Sequence, residues 1–135
     1  MRSVFVDSSA WIPLYDPEDQ YRAVIFPVWH GLAQECVSLI TTDYVIDETY
    51  THLRRRVGLQ ACIAFHDLIA SSSVLHVVEI TSSIRHIAWE ILLKRADQVL
   101  SFTDCTSFAV MSQMRMTHAL TFDKDFRRAG FLVLP

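Results

Sequence analysis

The apolar positions along this chain change their period from one segment to the next. Val4, Phe5 and Val6 make a short continuous apolar run with polar residues at both ends, which predicts a buried strand over residues 2–7. Residues 9–15 predict a short helix that Asp16-Pro17 stops. From 19 to 34 the period is helical, with Tyr21, Val24, Val28 and Leu32 on one side. Pro27 falls inside that pattern, and an interior proline costs about 3 kcal/mol, so a kink or break is expected there. Residues 37–40 form a second strand, after which Thr41 or Thr42 caps a helix that runs to about Val57 and ends at Gly58. Another helix covers 59–70, the serines 71–73 turn the chain, and 74–80 (VLHVVEI) read as a third strand. Thr81 or Ser82 caps an amphipathic helix whose apolar stripe is Ile84, Ile87, Ala88, Ile91 and Leu92. A helix over about 103–115, a strand at 117–121 and a last strand at 131–134 complete the pattern.

Strands that alternate with one or two helices imply a mostly parallel sheet covered on both faces. The expected fold class is therefore α/β, a three-layer α/β/α sandwich, as a single domain over residues 1–135. A chain that is 51% hydrophobic with 3 glycines and 4 prolines suits a compact, loop-poor domain, and no repeat or linker divides it. The longest apolar runs are far short of the roughly 18–20 residues of a membrane span, and Asp7 interrupts the first one too early for a signal peptide. Cys36, Cys62 and Cys105 are odd in number and lack paired spacing, which points to a reducing cytoplasm. A net charge of −3 gives no overall pull toward nucleic acid. Most of the basic residues are arginines, however, among them Arg54-Arg55-Arg56 and Arg127-Arg128, and arginine suits bidentate phosphate contacts.

In parallel α/β sheets, sites lie outside the carboxyl ends of the strands. Asp7 stands at such an end, either as the cap of the helix at 9–15 or as part of a site. Asp123 repeats the pattern after THALTF, as a site residue, a turn residue or the cap of a short turn at 124–128; Asp125 has a stronger turn reading. Glu48, His52 and Arg55 form a stripe on the flank of the helix at 42–57, whose broad face carries Val45, Thr49 and Leu53. Glu48 is either an ordinary exposed glutamate or, with the helix beside the first strand, aimed at Asp7; Asp47 falls at a different angle. Asp104 opens a helix that is apolar on nearly all sides. With Ser101 it has capping-box spacing, but an acid pointing inward there needs a cation. Four carboxylates on one rim repel each other strongly, and a hard divalent cation such as magnesium or manganese removes that repulsion. Phosphodiester hydrolysis is the chemistry that most wants such a cluster.

The ordered set resembles the PIN-domain ribonucleases, especially the VapC-type toxins of toxin–antitoxin pairs, along the whole chain. The matching motifs are the strand ending in Asp7-Ser8-Ser9, then Asp47-Glu48-Thr49, Phe102-Thr103-Asp104, and Thr121-Phe122-Asp123-Lys124-Asp125-Phe126. The resemblance implies a metal-dependent endoribonuclease in which Asp7, Glu48, Asp104 and Asp123 hold Mg2+ or Mn2+. Ser8 and Thr103 would then orient a ligand or water, and Asp125 is the alternative to Asp123. It also implies an RNA substrate, a homodimer, and a VapB-type antitoxin whose tail occupies the acidic groove. The turn at 114–117 lacks the glycine that commonly ends this helix in the family.

An acidic pocket repels RNA, so phosphate contacts are expected from His52, Arg55 and Arg56 beyond Glu48, and from Arg127 and Arg128 beyond Asp123. The six histidines and three cysteines show no zinc-ligand spacing. Trp29 and Phe65 belong either to the core or to a dimer or antitoxin interface. The alternative function is a non-catalytic RNA- or partner-binding module, which the presence of all four acids disfavours. A haloacid-dehalogenase-like phosphatase wants D-x-D where this chain has Ser9, and a receiver domain wants an earlier acid pair that is absent.

Overall fold

Five strands form one sheet in the computed structural model, which describes residues 2–135. They are β1 (Ser3–Val6), β2 (Ser38–Thr42), β3 (Leu75–Val78), β4 (His118–Leu120) and β5 (Leu132–Leu134), in the order β3-β2-β1-β4-β5. Every pairing is parallel, so the sheet expected to be mostly parallel is wholly so. β1 lies in the middle, and Val4, Phe5 and Val6 are fully buried, as befits a strand covered on both faces.

The helices are α1 (Ser8–Tyr15), α2 (Arg22–Gln34), α3 (Asp43–Arg56), α4 (Leu59–Ser71), α5 (Ser82–Lys94), α6 (Phe102–Gln113) and α7 (Lys124–Arg128). Right-handed crossovers place α1 to α4 on one face, because the chain moves outward from β1 to β3, and α5 to α7 on the other, because it then moves back past β1. Two aromatic cores match this division. Trp11, Trp29, Tyr15, Tyr50 and Phe65 pack edge-on or tilted on the first face. Phe5, Phe108, Phe126 and Phe131 pack together on the second. Phe65 is fully buried in the core, and Trp29, partly buried, packs on Trp11 with ring centroids 5.3 Å apart.

Sequence and structure differ at α2. The helix starts at Arg22 and runs unbroken through Pro27 to Gln34. Because it starts three residues later than the periodicity implied, the carbonyl that Pro27 leaves unpaired belongs to Ala23 in the first turn. Ala23 and Pro27 are both exposed, so water can serve that carbonyl. The threonine alternatives are also decided, since Thr42 accepts from the Val45 amide (3.1 Å) and Thr81 from the Ile84 amide (3.3 Å). No described helix is long and apolar enough to cross a membrane.

The missing glycine after α6 has a structural counterpart. The Met116 amide bonds back to the Met111 carbonyl (2.8 Å) and the Arg115 amide to Ser112 (3.2 Å), closing a Schellman turn. Arg115 sits in it at φ 53°, where a Cβ is strained. Arg115→Gly is expected to raise stability by about 0.5–1 kcal/mol, read as a higher urea midpoint at unchanged slope. A loss of stability would mean that the exposed Arg115 side chain makes a contribution of its own.

Candidate active site

Parallel β1 and β4 end on the same rim, and their register pairs Val6 with Leu120. The next residues, Asp7 and Thr121, are therefore neighbours. Asp7 is 3% exposed and stands in extended conformation before α1, yet its carboxylate does not cap that helix. Instead Asp7 Oδ2 accepts from Ser9 Oγ (2.8 Å) and from Thr121 Oγ1 (2.9 Å). The two hydroxyls also receive backbone amides, Ser9 from Phe122 (2.9 Å) and Thr121 from Asp123 (3.0 Å). Asp7 is thus fixed to the segment that carries Asp123. Sequence reasoning missed Ser9 and Thr121; the only signal for them is the strand register, which appears once the strand order is known.

The other acids arrive from three helices. Glu48 is on α3, where Ser8 Oγ at the start of α1 donates to its Oε1. Asp104 is in the first turn of α6, with its amide on Ser101 Oγ (3.0 Å), so the capping box is half made. Asp123 caps α7 by accepting the Asp125 amide on Oδ1 (2.9 Å). One carboxylate oxygen each from Asp104, Asp123 and Asp125 lie within 4.8 Å of one another. Asp125, read from sequence as a turn residue first, keeps that role and joins the acids as well.

Burial and mutual repulsion set the charge state. Asp7 is pushed from 3.8 up to about 6, chiefly by burial and also by the charge of Glu48, against the pull of Ser9 and Thr121. Asp104 is pushed up to about 7 by burial, then by Asp7 and Asp123, with Glu48 adding. No lysine, arginine or histidine pairs with Asp7, Glu48, Asp104 or Asp123 among the described residues; the ion pairs present are His86–Glu90 and Arg128–Asp125. Asp7 and Asp104 therefore keep their protons to higher pH than ordinary carboxylates do. A set of hard carboxylate oxygens without a protein counter-charge fits Mg2+ or Mn2+ and does not fit a soft metal.

Basic residues border the acids on two sides. Asp47, Glu48, Thr51, His52, Arg55, Arg56 and Thr103 line one open trough. Arg127 lines a groove with Phe122, Asp123 and Lys124. Arg128 reaches Asp125 at 3.4 Å while remaining more than half exposed, so it too stands beside the acids.

Residues 4–132 match the family described as PIN domain. The chain is 36% identical, over 129 residues, to the 23S rRNA-specific endonuclease VapC20 of Mycobacterium tuberculosis, covering 96% of this chain and 95% of that one. The crystal structure of that protein, a sarcin–ricin loop cleaving toxin, matches with a TM-score of 0.87 at 35% identity over 96% of both chains. Two more distant structures share the fold. VapBC2 of Rickettsia felis, bound to a promoter DNA fragment, has a TM-score of 0.71 at 10% identity over 98% of this chain and 97% of that one. FitAcB of Neisseria gonorrhoeae has 0.68 at 16% over 98% and 96%.

Proposed function

The chain belongs to the PIN-domain family, and from that premise we propose that it is a metal-dependent endoribonuclease, the toxin of a VapBC-type pair. The observation that carries this reading is the convergence of Asp7, Glu48, Asp104, Asp123 and Asp125 on the carboxyl rim, with no cationic side chain paired to the first four among the described residues. Asp7, Glu48, Asp104 and Asp123 are the residues that would hold Mg2+ or Mn2+, with Asp125 within reach of the last two. When bound, such an ion supplies activated water and neutralises charge on the phosphodiester under attack.

The chain's own residues do the rest. Ser9 and Thr121 keep Asp7 in one orientation, and Ser8 does the same for Glu48. Thr103 borders the trough beside Glu48 and is placed to orient a ligand or water. His52, Arg55 and Arg56 on one side and Arg127 on the other offset the acids and receive backbone phosphates. Arg128 pairs with Asp125 and, more than half exposed, can meet a phosphate from the same side as Arg127. By similarity to the relative that cuts 23S rRNA, ribosomal RNA in the cytoplasm is the proposed substrate. A VapB-type antitoxin is the proposed partner that blocks the site. A homodimer is proposed as well, and exposed Trp89 and Leu93 on α5 offer apolar surface for it.

The experiment is direct. Purified protein should cut a stem-loop containing the 23S sarcin–ricin sequence when Mg2+ or Mn2+ is present. Excess chelator should stop the cutting and added metal should restore it. Intact RNA with every divalent metal tried, ribosomes included as substrate, would refute the proposal.

A further inference from the structure

We propose that Tyr21, seated on Phe122, is the platform on which an unpaired RNA base stacks next to the acid rim. This rests on the reading of the acid rim as an RNA site. The two rings lie face to face, with centroids 4.0 Å apart and planes 4° from parallel. The other ring pairs involving Phe, Trp or Tyr are tilted or edge-on, which is the more usual preference.

Both rings are held from their backbones. The Phe122 amide is on Ser9 Oγ (2.9 Å), between Thr121, which bonds Asp7, and Asp123. The Tyr21 amide is on Asp19 Oδ1 (2.8 Å). Phe122 packs against the core while Tyr21 is not among the residues that do, and both are partly exposed. Phe122 thus covers one face of the tyrosine, and the rest of the side chain is partly exposed. The Tyr21 hydroxyl makes no hydrogen bond among the described residues, so the ring is not there to place it.

The position suits the role. The loop leading to Tyr21 shares a trough with His52 and Arg56 through Asp16, Glu18, Asp19 and Gln20. Phe122 shares the groove of Arg127. The stack therefore joins a loop that borders one basic trough to a residue that lines the other groove, next to Asp123. Arginines there hold phosphates, and an aromatic face adds affinity for a base of any identity that is free to leave its helix. Paired bases are already stacked on both sides, so the platform selects loop nucleotides over duplex.

The alternative is that the ring pair is only a strut under Asp123. Tyr21 caps α2 through its carbonyl, which accepts from Val24 and Ile25, so Tyr21→Ala removes the ring and keeps the cap. The probe is the sarcin–ricin stem-loop carrying 2-aminopurine at successive loop positions, titrated in chelator. At one position the parent should quench fluorescence, Tyr21→Ala should lose the quench and bind about tenfold more weakly, and Tyr21→Phe should behave as the parent. An abasic nucleotide at that position should bring the parent down to the affinity of Tyr21→Ala. Equal quenching by parent and Tyr21→Ala, or an affinity loss that is the same for intact and abasic RNA, would overturn the platform. Cleavage of the same RNA by the parent with Mg2+ is scored separately. Cutting with Tyr21-independent quenching sinks the platform alone, and Tyr21-dependent quenching without cutting sinks the nuclease reading alone.

Discussion

Asp104→Asn should reduce RNA cleavage by about a thousandfold or more, beyond the roughly 10–100-fold typical of residues that only support a ligand, and should make the metal-free protein harder to unfold. Both effects have one cause. The Asp104 carboxyl is held up to about 7 by burial and by the charges of Asp7, Asp123 and Glu48, so its ionised form at pH 8 is a strained state of the folded chain. Asparagine removes that charge and keeps an oxygen of similar shape, and the gain should be on the order of 2 kcal/mol at pH 8 in chelator. The Asp104 amide keeps its bond to Ser101, so the start of α6 is untouched. Single-turnover cleavage and urea unfolding in chelator read the two effects. A variant that cuts like its parent refutes the role of Asp104. A variant that loses both activity and stability shows that Asp104 supports the fold, as a cap residue would.

A stability gain from deleting an acid marks a group kept for function, and it shows which parts of the site sequence could reach. Asp7 and Asp123 were legible because each is the first acid after an apolar strand, and parallel strands that alternate with helices must end on a common rim. Glu48 followed from the flank it occupies on α3. The local alternatives were separated only by structure. Asp7 has the backbone of a helix cap, but its carboxylate is taken by Ser9 and Thr121, and Thr121 comes from a strand end 114 positions away in sequence. Asp123 does cap α7 and lies among the acids too, because one oxygen of a carboxylate can take the Asp125 amide while the group still faces Asp104. Capping and site membership are compatible for a two-oxygen group, so the cap and turn readings of Asp123 and Asp125 never excluded a place among the acids. The break allowed for at Pro27 is absent for another reason. The cost of a proline depends on how far it lies from the helix start, and the Asp16–Gln20 region turns on its own side chains before α2 begins. The Tyr21–Phe122 stack was illegible, since it joins a loop to a strand end with no shared period.

The largest pH effect should be on metal binding, and its sign should be opposite to that on the metal-free fold. Asp7 at about 6 and Asp104 at about 7 both lie above their ordinary 3.8, so the folded protein binds more protons than the unfolded chain across the interval between. The stability this contributes is complete below the unfolded value and is lost as pH rises through 6 and 7. Thermal midpoints in chelator should therefore fall between about pH 5 and pH 8 as far as these two groups decide them, and Asp104→Asn should flatten that fall. Metal must displace the same protons. Its apparent affinity should drop about tenfold per pH unit below 7, where one proton competes, and approach about a hundredfold per unit below 6, where two do. The stabilisation given by a fixed Mn2+ concentration should accordingly grow from nearly nothing at pH 5 to several degrees at pH 8, and cleavage at subsaturating metal should follow the same curve. Raising Mn2+ at pH 6 should recover activity, since the metal then wins the competition. An affinity that stays level from pH 8 to pH 5 would mean that the ion is not held by Asp7 and Asp104, and the carboxyl rim would lose its claim to be the catalytic centre.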